Sequence, residues 1–159
     1  MFRQRAWSTV CQPACGGKRG RSSVGKTKDD HLIEKAKEAR TRAYAPYSRY
    51  LVGAALQTTG GKIYTGCNVE NAVHSVGLCA ERVAIFKAIS EGDREFEAIA
   101  VVTVNGGTPC GSCRQVMAEF NPHLRVLVAD LKGNVRVYTL DRLLPDHFGP
   151  ANLEESGGD

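Results

Sequence analysis

Apolar residues first recur at helical spacing at Leu32, Ile33, Ala36, Ala39 and Ala43. Asp29 and Asp30 precede them as N-cap candidates and Pro46 ends the run, which predicts an amphipathic helix. Leu51 to Thr58 and Lys62 to Thr65 flank Gly60-Gly61 and read as two strands closed by a tight hairpin. After an irregular stretch, Gly66 to Gly77, the segment Cys79 to Glu91 places Val83, Ile85, Phe86 and Ile89 on an apolar stripe. Gly92 is its stop, so a second helix is predicted. Phe96 to Val104, bounded by Asn105-Gly106-Gly107, has the Ile and Val content of a buried central strand. Cys110 to Phe120 reads as a third helix. Arg125 to Asp130 and Val135 to Thr139 are strands joined only by Leu131 to Asn134, a link so short that they must be antiparallel neighbours. A helical turn, Asp141 to Leu144, precedes Pro145 and an irregular end through Phe148, Gly149 and Pro150. The predicted class is α/β, with a mixed five-stranded sheet covered by helices and its last two strands antiparallel.

The 159 residues suit one domain, and 42% hydrophobic with 24% charged residues is too apolar for a disordered chain. The longest apolar run, Ala98 to Val102, falls far short of the roughly 18 residues that cross a bilayer, so no membrane span is expected. A net charge of +4 suggests nucleic acid until it is located. Residues 1–28 hold seven of the 21 basic residues and no acid, leaving 14 against all 17 acids in residues 29–159, a balance of −3. A mildly acidic body is a poor match to a phosphate backbone and suits a small neutral ligand better. Three segments follow: a basic, disordered extension at 1–28, a domain at 29–150 and a flexible tail at 151–159. The extension is rich in Arg, contains Ser8, Ser22 and Ser23 and lacks acids, which is the composition of a transit peptide, of a plain disordered arm, or of a start assigned too far upstream. Cys11 and Cys15 have no further ligands nearby and are given no metal role.

Three body cysteines form Cys79-x-Glu81 and Pro109-Cys110-x-x-Cys113. Cys110-Gly111-Ser112-Cys113 alone could be a redox dithiol at a helix N-terminus. A closed structural zinc site is a second possibility, though it needs a fourth ligand and Cys67, His74 and His123 are not at ligand spacing. A catalytic zinc explains more of the residues. Three ligands leave one position for water, both ligand groups open helices whose positive ends favour thiolate, and Glu81 is beside the metal without being a ligand. A His or Cys, x-Glu, and then Pro-Cys-x-x-Cys is the pattern of zinc deaminases, here in an all-cysteine variant.

Over residues 30–150 the chain resembles the small, homotetrameric zinc-dependent cytidine deaminases. The resemblance runs through Pro46-Tyr47-Ser48, Val52-Gly53-Ala54-Ala55, Cys67-Asn68-Val69-Glu70-Asn71-Ala72, Cys79-Ala80-Glu81-Arg82, Pro109 to Val116, and the ending Leu143-Leu144-Pro145 to Pro150. It implies the family's α/β/α sandwich, with one Zn2+ per subunit on Cys79, Cys110 and Cys113. It also implies hydrolytic deamination of free cytidine and deoxycytidine in pyrimidine salvage, with zinc-bound hydroxide adding to C4 and Glu81 carrying protons. Asn68 and Glu70 would hold the ribose hydroxyls, and Ala72 would offer its backbone to the base. Tyr50, where phenylalanine is common, and Phe148 would stack on the pyrimidine. His74 stands where the family often has tyrosine, in a segment expected to come from a neighbouring subunit.

Arg82 is singled out on electrostatic grounds as well. Three thiolates leave Zn2+ with a net charge of −1, and a guanidinium donating to the sulfurs would withdraw charge and restore acidity. An acidic body, antiparallel last strands and the absence of a basic or aromatic run after them favour a free nucleoside over a nucleic acid. Blasticidin-S deaminase is the nearer competitor, and a catalytically silent zinc scaffold is a third reading. Reduced structural thiols suit a cytoplasmic protein, with organellar import open if residues 1–28 are a leader.

Overall fold

The computed structural model describes residues 27–154. Residues 1–26 of the expected extension at 1–28, and residues 155–159 of the expected tail at 151–159, lie outside the described residues. In chain order the elements are α1 (Lys28–Arg40), β1 (Gly53–Thr58), β2 (Ile63–Cys67), a 3-10 turn (His74–Val76), α2 (Ala80–Ser90), β3 (Phe96–Val102), α3 (Gly111–Phe120), β4 (Arg125–Ala129), β5 (Val135–Thr139), α4 (Leu140–Leu143) and α5 (Pro150–Glu154).

The cap of α1 is one correction to the sequence reading. Thr27, not Asp29 or Asp30, is the N-cap residue. Its hydroxyl accepts the Asp30 backbone N–H at 3.1 Å, and the Asp30 carboxylate accepts the Thr27 N–H at 2.9 Å. Asp29 instead pairs with Arg125 at 2.7 Å and ties the start of the helix to β4. At the other end the chain passes from the irregular Phe148-Gly149 segment into α5.

The sheet order is β2-β1-β3-β4-β5. Only β3 and β4 run parallel, because the connection between them contains a whole helix; the other neighbours, including β4 and β5, are antiparallel as expected. Side chains alternate between the faces. Ala54, Leu56, Ile99, Val101, Val126 and Val128 face α2 and α3, while Ala55, Ala98, Ala100, Val102, Leu127 and Ala129 face α1. Four of the six residues facing α1 are alanine, which lets the helix lie very close. At Gly53 a Cβ would stand 2.1 Å from the Ala36 carbonyl oxygen, so that crossing admits only glycine. On the other face Gly66 of β2 receives α2 in the same way, with a Cβ position 2.3 Å from the Ala80 oxygen. Helices α2 and α3 thus share one face of the sheet.

Candidate functional site

Both of those helices begin on a cysteine. Cys79 is the N-cap residue of α2 and Cys110 that of α3, and neither side chain is used in capping. Cys113 lies one turn into α3 and is fully buried. The three sulfurs lie within 4.8 Å of one another, with Cys79 to Cys110 at 3.9 Å and Cys110 to Cys113 at 3.5 Å. Tetrahedral ligands at a Zn–S distance of about 2.3 Å would be about 3.8 Å apart, so the donor set and its spacing fit zinc. Cys67 and His123 are not part of this cluster. The Cys79 thiol is lowered to about 5 by its hydrogen bond with Cys113 and, against burial, by Arg82; the same contact pushes Cys113 upward.

Glu81 is in the first turn of α2 and only 4% exposed. Burial pushes its carboxyl up to about 7. Arg82 is half-buried, with one guanidinium nitrogen 3.8 Å from Cys79 Sγ and 3.3 Å from the Gly77 carbonyl oxygen. Its Nε is buried with no hydrogen-bond partner, so the guanidinium faces the thiols with an unspent donor.

Cys79, Glu81, Arg82 and Cys110 open into a cavity of about 670 Å³. Tyr50, Asn68, Glu70 and His74 line its other walls. Asn68 is a cross-brace: its Nδ2 donates to the Tyr50 carbonyl at 2.9 Å and its Oδ1 accepts the Val52 N–H at 2.8 Å. One amide hydrogen remains for a ligand. The half-buried Glu70 carboxylate accepts the Tyr47 N–H at 2.9 Å, the Ser48 N–H at 3.2 Å and the Ser48 hydroxyl. The Ser48 hydroxyl, ahead of the backbone donors, holds this carboxyl below its ordinary value.

Two expected substrate contacts are not brought to this cavity. Ala72 and Phe148 are exposed and outside its wall, and the Phe148 carbonyl accepts from Gln115 at 2.7 Å. His74 lines the cavity of its own chain, with its ring centroid 5.6 Å from that of Tyr47. Sequence reasoning passed over Ser48, Thr103, Gly107 and Thr108, which also line the wall. Pro46-Tyr47-Ser48 carried a signal; the turn residues after β3 did not.

Two helix ends that present cysteines beside a buried glutamate define a zinc hydrolase of the deaminase class. Residues 26–129 match the family model of the cytidine and deoxycytidylate deaminase zinc-binding region, and the chain belongs to that family as an enzyme binding one zinc per chain. It is 49% identical to a cytidine deaminase of Sporosarcina psychrophila over 127 residues, 78% of this chain and 93% of the relative. The crystal structure of the Burkholderia pseudomallei cytidine deaminase superposes with a TM-score of 0.74 at 52% identity, covering 77% of this chain and all of that one. A blasticidin-S deaminase of Bacillus cereus is 31% identical over 127 residues, 74% of this chain and 89% of the relative.

Proposed function

We propose that the protein hydrolyses free cytidine and deoxycytidine to uridine and deoxyuridine with release of ammonia, a step of pyrimidine salvage. The observation that carries this reading is the buried Glu81 on the wall of the same cavity as the thiol cluster. Zinc, when bound by Cys79, Cys110 and Cys113, supplies a water acidic enough to act as a nucleophile near neutral pH. Glu81 takes a proton from the attacking water and gives it to N3 of the pyrimidine as C4 is attacked, then takes the second proton from the new C4 hydroxyl and delivers it to the departing amine as the C4 carbonyl forms. The proton balance closes: water enters, ammonia leaves, and Glu81 ends as it began.

Asn68 and Glu70 meet the ribose hydroxyls, the first through its remaining amide hydrogen and the second as an acceptor. Tyr50 walls the base side of the cavity. Ala72 and Phe148 stand outside their own chain's cavity, so their contacts require a neighbouring chain to bring them in. A homotetramer is the assembly we infer. Val73, Val76 and Phe148, 59 to 61% exposed, are the apolar surface it would cover. The compartment inferred is the cytoplasm, with a leader at residues 1–28 as the alternative. No helix among the described residues is long and apolar enough to cross a membrane.

Purified zinc-loaded protein incubated with cytidine is expected to yield uridine and ammonia in equal amounts by mass spectrometry and an ammonia assay. Conversion of blasticidin S but not cytidine would overturn the substrate. Absence of any turnover at one zinc per chain would leave a silent scaffold. Arg82→Gln is expected to keep its zinc while kcat falls by about 10- to 100-fold, the usual scale for partners of metal ligands. Unchanged kinetics at full zinc occupancy would remove Arg82 from the reaction.

A further inference from the structure

Tyr50 has one group more than a ring wall needs, its hydroxyl. That hydroxyl donates to Asn105 Oδ1 at 2.6 Å. The same oxygen accepts from the Thr103 hydroxyl at 3.3 Å, and Thr103 Oγ1 in turn accepts the Gly107 N–H at 2.8 Å. A continuous chain of hydrogen bonds therefore joins the Tyr50 wall to the turn after β3. Thr103 is 3% exposed and acts as the buried hinge of this chain, while Asn105 is exposed and outside the cavity wall.

Three further features show that the contact is built. A Cβ on Gly107 would stand 2.8 Å from the Tyr50 hydroxyl oxygen, so the turn lies against the tyrosine tip and a larger residue there would displace the Tyr50 side chain. Gly106 adopts a φ of +68°, and its carbonyl accepts from the Arg136 guanidinium, which clamps the turn from β5. On the other side, Arg49 adopts a φ of +56°, a conformation costly to a non-glycine residue and sustained only by its surroundings. The Tyr50 N–H donates to Ser48 Oγ at 3.0 Å, and Ser48 is itself tied to Glu70. The strained turn aims Tyr50, and Asn105 secures its far end. From Asn105 the chain runs through Thr108 and Pro109 directly to Cys110.

We propose that Asn105 is a positioning residue for nucleoside binding: acting through the Tyr50 hydroxyl, it fixes the aromatic wall of the cavity and ties that wall to the segment that presents Cys110. The inference deepens the nucleoside reading and rests on it for the identity of the ligand. A phenylalanine in place of Tyr50 could not be held in this way, so the latch belongs to the tyrosine of this chain.

Tyr50 is 37% exposed, so water can replace Asn105 as a partner. The loss is then one of ring order, with no buried group left unpaired, and the effect should be moderate. Asn105→Ala is expected to raise KM for cytidine by about fivefold with kcat changed less than about twofold, the signature of lost uniform binding. The Kd of uridine, measured by calorimetry on zinc-loaded protein, should rise in parallel. Asn105→Asp keeps an acceptor and should restore most of the affinity. In a Tyr50→Phe background Asn105→Ala should add nothing further, since the two residues act as one unit.

A substrate-free readout separates this inference from the reading beneath it. With the five tyrosines replaced by 3-fluorotyrosine, the fluorine resonance lost in Tyr50→Phe should shift and broaden in Asn105→Ala and recover in Asn105→Asp. Failure of wild-type protein to turn over cytidine would overturn the substrate reading and leave this resonance as the test. An unmoved resonance, or a KM effect that persists in Tyr50→Phe, would overturn the role of Asn105.

Discussion

Glu81→Gln will retain one zinc per chain and lose turnover of cytidine by about a thousandfold or more. Proton transfer by a positioned side chain contributes about 10² to 10⁴ in rate, and in the proposed reaction Glu81 performs it more than once. Glutamine is nearly isosteric and can pack in the same 4%-exposed position, but it can neither take a proton from water nor deliver one to N3. The metal should stay because the donor set is the three thiols, which lie within 4.8 Å of one another without the carboxylate. The measurement pairs zinc content by atomic emission with uridine formation, and circular dichroism confirms an unaltered fold. Activity within tenfold of wild type at full zinc would exclude Glu81 as the proton carrier. Loss of zinc in the variant would instead place its carboxylate on the metal and overturn the three-cysteine assignment.

The elements that position this site were readable from periodicity because each buries a face. The near-continuous apolar runs of β3 and β4 reflect helices packed on both sides of the sheet, and the four-residue link after β4 left no choice but an antiparallel partner. The thiol cluster was equally readable: its ligands occupy two helix starts, where spacing along the chain fixes position in space. The cap of α1 was misplaced because Asp29, Asp30 and Thr27 are all competent caps, and the choice is made by the tertiary pair of Asp29 with Arg125. The polar wall was only half readable. Asn68 and Glu70 stood out in their segment, but their partners Tyr50, Val52 and Ser48 are 16 to 22 residues away and meet them only through the fold. The Asn105 turn gave no signal beyond that of a turn, because its chemistry depends on a tyrosine 55 residues earlier.

Gly66→Ala will cost the protein both stability and its metal, whereas Gly53→Ala will cost stability alone. The two glycines pose the same steric problem on opposite faces of the sheet. At Gly66 the new methyl would stand 2.3 Å from the Ala80 carbonyl oxygen and 2.6 Å from the Ala84 nitrogen; at Gly53 it would stand 2.1 Å from the Ala36 oxygen and 2.5 Å from the Arg40 nitrogen. These are backbone atoms of helices, so no side chain can swing aside, and relief requires the helix to move by about 1 Å to reach ordinary contact. Overpacking of this kind costs about 1–3 kcal/mol or more, enough to lower the unfolding midpoint by several degrees in either variant. The consequences diverge because of what each helix carries. The α2 turn pressed by Gly66 bears Cys79 and Glu81, and a 1 Å misplacement of reacting groups costs about a hundredfold in rate. The α1 turn pressed by Gly53 bears no residue of the cavity or the thiol cluster. Assayed well below their unfolding transitions, Gly66→Ala should therefore show weakened zinc retention against a chelator and about a hundredfold lower kcat, while Gly53→Ala keeps both. Equal zinc loss in the two would mean that stability alone governs the site, and normal zinc and kcat in folded Gly66→Ala would mean that β2 does not set the position of the first turn of α2.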